Sequence, residues 1–117
     1  MSYDKLTMLL AERVMGWGVG PDRFTLGNRR WIAHWRFRPA ERIEDAFRLL
    51  EAAAPEQYTL LGIGDGTLCV RVRIAGAVGE AQDACKPRAI TLAVARALGI
   101  QDPPDATNLR HRRGEPR

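Results

Sequence analysis

Lys86 and Arg88 stand two residues apart at what reads as the first turn of a helix, and Arg71 and Arg73 stand two apart in an alternating run. The first pair is unusual, because the start of a helix is its positive end and cations there are unfavourable unless something negative joins them. Asp83 is one candidate for that group. A bound phosphate or carboxylate, held by free backbone N–H groups and by these side chains, is the other. Lys86 and Arg88 with Arg71 or Arg73 therefore form a candidate anion site. A second basic set lies elsewhere: Arg36 and Arg38 are interleaved with Trp31, Trp35 and Phe37, and Arg110, Arg112 and Arg113 follow near the end of the chain. Arginine alternating with aromatics is the pattern of base stacking combined with phosphate contacts. The same alternation also describes a strand with its aromatics turned to the core, and the spacing favours that reading.

Other chemistry is excluded by inventory. Ser2 is the only serine and is placed to cap a helix, so a serine triad has no nucleophile. The two histidines are His34 and His111, and the two cysteines are Cys69 and Cys85. A Cys-His pair would lack an orienting group, and a zinc site would need all four at spacings unlike any ligand knuckle. The cysteines read as reduced, mostly buried small hydrophobes. Neither glycine-rich stretch is a phosphate loop: Gly16 to Gly20 follows a helix, and Gly62 to Gly66 is followed by a strand. The expectation is a protein that is not an enzyme and has no cofactor and no metal.

Composition alone does not say what the protein does, but it narrows the class. Among 117 residues, 45% are hydrophobic and 27% charged, which is ordinary for a globular chain. The net charge is +4, and residues 103–117 hold four arginines against two acids, so half of the excess sits in that segment. The rest of the chain is close to neutral, unlike a dedicated DNA-binding module. The segment offers only Ala106 and Leu109 to a core and reads as a disordered basic tail after a single domain over 1–102. No apolar run approaches the ~18 residues that span a bilayer, and no secretory signal pattern opens the chain, so a cytoplasmic protein is expected.

These residues must be positioned by a small set of elements. Leu6, Leu9, Leu10 and Val14 predict a helix over about 3–15, closed by Gly16. Residues 24–37 read as a hairpin turning at Gly27-Asn28, with Trp31, Ala33, Trp35 and Phe37 on one face. Pro39 and early acids open a second helix with Ile43, Ala46, Phe47 and Leu50 as its buried stripe, ended by Pro55. Residues 58–63 and 67–74 form a second hairpin, with Leu68, Val70, Val72 and Ile74 inward and Cys69, Arg71 and Arg73 outward. Arginines buried under a helix would be very costly, so that face is expected to be open, at an edge or against an acidic partner. A last helix runs from about Pro87 to Gly99. The order is α-ββ-α-ββ-α, an α+β fold with a mainly antiparallel sheet packed by helices.

The opening run Leu9-Leu10-Ala11-Glu12-Arg13-Val14-Met15-Gly16-Trp17 resembles the start of the phage ABA sandwich domain family. The run from Cys85-Lys86-Pro87-Arg88-Ala89-Ile90 into an Ala-rich helix resembles that family's last helix, and the resemblance spans about residues 5–99. It implies a small α/β sandwich of bacteriophage or prophage type, and it transfers no catalytic residues. The function this leaves is an accessory binding protein that captures a nucleotide-like anion or an acidic protein surface, with blunting of a host defence as one such role. The alternatives are a nucleic-acid-binding accessory protein using the basic hairpin and tail, and a protein–protein adaptor or homo-oligomer.

Overall fold

A computed structural model describes residues 4–27 and 29–100 of the chain. Helix α1 (Asp4–Arg13) is followed by three short strands, β1 (Gly18–Val19), β2 (Arg23–Thr25) and β3 (Trp31–Ala33). After a turn of 3-10 helix at His34–Arg36 come helix α2 (Ile43–Ala53), strands β4 (Gln57–Gly62), β5 (Leu68–Ile74) and β6 (Ala77–Asp83), and helix α3 (Lys86–Ala97). The strands form two antiparallel sheets, β1-β2-β3 and β4-β5-β6. The α+β sandwich expected from the sequence is present, with three strands in each sheet where the pattern predicts two.

Both added strands have a physical reason for being silent in sequence. β1 is two residues long and lies in a glycine-rich stretch that reads as loop. β6 is Ala-Val-Gly-Glu-Ala-Gln-Asp, poor in the β-branched and aromatic residues that mark strands. Its small residues answer to α3. A methyl group on Gly79 would run into the Ala93 carbonyl and the backbone of Ala97. Glycine there lets the helix lie against the sheet at backbone distance, and Ala89, Ala93 and Ala97 follow one another up the helix at i, i+4 spacing.

One core joins the elements. Leu6 and Leu10 of α1, Phe24, Phe37, Leu49 and Leu50 of α2, Val70 and Val72 of β5, and Ile90 and Val94 of α3 are all essentially buried. Trp17 closes it at the α1 end, with its ring 5.0 Å from Phe37 and 5.7 Å from Phe24. The reading that placed Trp31 or Trp35 and Phe47 in this core is corrected: all three are exposed, and Phe24 and Phe37 fill that place.

The start of α2 is also corrected. Pro39 does not open the helix. It lies buried in a separate turn over 38–42, where the Arg38 carbonyl accepts from the Glu41 and Arg42 N–H groups. Asp45, buried in the first turn of α2, accepts the Arg38 N–H at 2.9 Å and ties that turn to the helix. The buried face of α2 is Asp45, Ala46, Leu49 and Leu50, so the expected stripe is corrected at Ile43 and Phe47, which are exposed. The helix ends at Ala54 in the left-handed conformation, followed by Pro55 as expected.

Candidate nucleic-acid interface

The small sheet decides where the tryptophans go. Phe24 pairs with Ile32 and faces the core, so the flanking pairs, Thr25 with Trp31 and Arg23 with Ala33, face away from it. Trp31 is 55% exposed, and Arg23 on the same face lies over its ring at 4.3 Å. The strand then stops at Ala33. The 3-10 turn breaks the two-residue alternation, so Phe37 enters the core while Trp35 stays outside at 63% exposure, with the Arg36 guanidinium 5.5 Å from its ring. Two indoles on the surface thus each carry an arginine against the ring.

The charges around them are unequal. Arg23 pairs with Asp22 at 3.2 Å, and this hydrogen-bonded guanidinium holds the Asp22 carboxyl below its ordinary range. Arg38 pairs with Glu41 at 3.2 Å. Arg29, Arg30 and Arg36 are exposed and make no ion pair among the described residues. The surface therefore offers aromatic faces together with uncommitted cations. Arg110, Arg112 and Arg113 lie outside the described residues, as does the rest of the basic tail.

The four residues of the sequence-predicted anion site fall on two different surfaces. Arg71 and Arg73 lie on the uncovered face of the second sheet, lining a shallow depression of about 260 Å³ with Gln57, Thr59 and Val78. Glu80 stands directly across from Arg71 in the register, yet no ion pair joins them. Lys86 lines a groove on the helix-covered side, between α2 and β4. Arg88 lies 3.6 Å from Asp83, whose other oxygen accepts the Cys85 N–H at 2.8 Å. Asp83, the alternative weighed for this helix start, is the group that answers its positive end. The openness of the Arg71–Arg73 face agrees with the cost of burying arginine.

His34 packs on Phe24 with ring centroids 4.5 Å apart. Cys69 and Cys85 are free thiols, and the Cys85 Sγ lies 3.6 Å from the Ala40 carbonyl oxygen. Among the described residues no cluster of His, Cys, Asp and Glu is placed to hold a metal, and no helix is long and apolar enough to cross a membrane. Sequence reasoning passed over Arg23, Arg29 and Arg30. The available signal was local charge: five arginines between residues 23 and 38 face a single acid in the neighbouring Asp22.

The architecture is that of a small α+β sandwich with its basic and aromatic side chains displayed on open surfaces. The chain belongs to the phage ABA sandwich domain family, whose model matches residues 8–95. Among solved structures, the chain is similar to a phage protein from Bacillus cereus ATCC 14579, known from a crystal structure at 2.0 Å. The two share 17% sequence identity and a TM-score of 0.70 over 86% of this chain and 91% of that one, a likeness of fold. No curated protein matches the chain.

Proposed function

We propose that this phage-type protein is a non-enzymatic accessory factor that binds single-stranded nucleic acid on the Trp31–Trp35 surface. The observation that carries this reading is the exposure of both indoles beside Arg29, Arg30 and Arg36. Unpaired bases stack on such rings without regard to sequence, while nearby arginines meet the phosphates. Duplex DNA keeps its bases stacked inside and leaves the indoles nothing to cover. The test is fluorescence titration with short single-stranded and duplex oligonucleotides across a salt series. Single strands should quench tryptophan emission, and log K should fall with log salt by about 0.7 per phosphate contacted. Trp31→Ala and Trp35→Ala should each weaken binding by roughly 1–3 kcal/mol. Equal binding by the double variant and the parent would end this reading.

A second reading rests on the depression at Arg71 and Arg73. Two guanidiniums two residues apart on an open face, with the Gln57 and Thr59 side chains beside them, suit a single phosphate, a nucleotide or an acidic protein surface. Charge reversal of Arg73 should abolish that binding and leave the oligonucleotide titration unchanged.

A further inference from the structure

The two edges of the second sheet are treated differently. On β6 the Arg96 guanidinium donates to the Glu80 carbonyl at 2.7 Å, and Glu80 adds a charge to the strand. These are the usual devices that protect an edge from pairing. β4 has neither. Its residues Gln57-Tyr58-Thr59-Leu60-Leu61-Gly62 carry no charge and no proline, and all six are exposed.

The register shows which groups β4 presents. The Ile63 N–H donates to the Thr67 carbonyl across the hairpin, so alternation directs the backbone groups of Gly62, Leu60 and Tyr58 away from β5. Nothing among the described residues pairs with them. Apolar surface gathers at the same place. Of the ten large hydrophobic residues exposed among the described residues, Tyr58, Leu60, Leu61 and Ile63 lie on or just beyond β4, and Ile43 and Phe47 lie on α2 across the groove from it. Ile43 and Phe47 belong to a helical stripe that the sequence writes for burial and that this chain alone leaves uncovered.

We infer that β4 pairs antiparallel with β4 of a second copy about a twofold axis, joining two three-stranded sheets into one of six strands. Several observations select a second copy over another partner. The β4 edge carries no charge of its own that would select a charged partner strand, and the strand complements itself. With the axis at Leu60, Leu60 exchanges both backbone hydrogen bonds with its own copy, and Tyr58 stands opposite Gly62, where no side chain competes with its ring. The axis runs perpendicular to the sheet, so Ile43 and Phe47 of both copies come to the same side and meet over the seam. Ile43, Phe47, Tyr58, Leu60, Leu61 and Ile63 supply exposed apolar surface beside that edge, and its burial favours association.

The test uses the full chain and does not depend on nucleic-acid binding. Sedimentation should give twice the 13.1 kDa chain mass at high concentration. Hydrogen exchange in the dimer should show the Tyr58, Leu60 and Gly62 amides protected, and dilution to monomer should release them. Leu60→Lys sets two like charges face to face and should raise the dissociation constant by about 100-fold or more. Val78→Lys, on β6, should leave it unchanged. A chain monomeric at every concentration, or a dimer whose β4 amides exchange freely, overturns the inference. So does a dimer broken by Val78→Lys and not by Leu60→Lys. If Leu60→Lys does not fold, the exchange pattern of the unaltered chain decides alone.

Discussion

The two sheets solve opposite problems. The second is built from strands of six and seven residues, and α3 covers one face of it closely enough that Gly79 cannot carry a side chain. The first has strands of two and three residues, and on its inward face Phe24 is buried and Ile32 partly buried while Val19 stays exposed. Length separates them. A strand of seven residues repeats its alternation often enough to fix which side is inside, so Val70 and Val72 are buried and Arg71 and Arg73 are not. A three-residue strand gives one inward position, and a single turn of 3-10 helix then resets the pattern.

That contrast can be broken first in the shared core. Phe37→Ala should cost about 3–5 kcal/mol and lower Tm steeply, because a buried ring touching Trp17 and Phe24 leaves a cavity that small helices cannot collapse to fill. A mild effect there would return Trp35 to the core and Phe37 to the surface. Next in size is Gly79→Ala, which forces α3 off the sheet and should cost about 1–3 kcal/mol in chemical denaturation. Should this variant be as stable as the parent, β6 and α3 are not in backbone contact.

Asp45→Ala removes the acceptor for the partly buried Arg38 N–H and should cost about 1–2 kcal/mol, with Asp45→Asn recovering much of it. Equal losses in the two would show that packing, and not the hydrogen bond, holds the 38–42 turn. Trp31→Ala and Trp35→Ala should each change stability by less than about 1 kcal/mol, since neither ring is enclosed. A large fall in Tm for either would restore the buried reading. The smallest expected effect is at the β4–β5 turn. Asp65 accepts hydrogen bonds from Thr67, which hold its carboxyl below the ordinary 3.8. A lowered carboxyl stabilises the fold above its unfolded value and loses that contribution as pH falls through the folded one. The parent should therefore lose ground to Asp65→Asn between neutral pH and about pH 3, measured by denaturation at both.

Much of this molecule was legible where hydrophobic period and punctuation agreed. Leu68, Val70, Val72 and Ile74 declared the covered face of β5, and the Pro87 and Gly99 limits of α3 hold to within a residue or two. β6 escaped because Gly79 and Ala81 are selected by the helix above them, so the strand has the composition of a loop. The candidate site escaped for another reason. Trp31, Trp35 and Phe37 sit at odd numbers and look equivalent, while backbone geometry at His34–Arg36 decides which of them water reaches. No side-chain pattern encodes that turn.

The hydrogen bond from Arg96 to the Glu80 carbonyl bears on something larger than one edge. A building block able to pair at both borders of its sheet has no natural stopping point, and copies would add end to end into a fibre. A block with one border occupied by its own side chain can couple once and then has nothing left to offer. If copies couple through β4 as inferred above, Arg96 would serve as the chain terminator, and replacing it with a short residue would give each unit two sticky ends. The visible sign of that loss would be turbidity growing with time and concentration, in a chain whose individual copies fold as before.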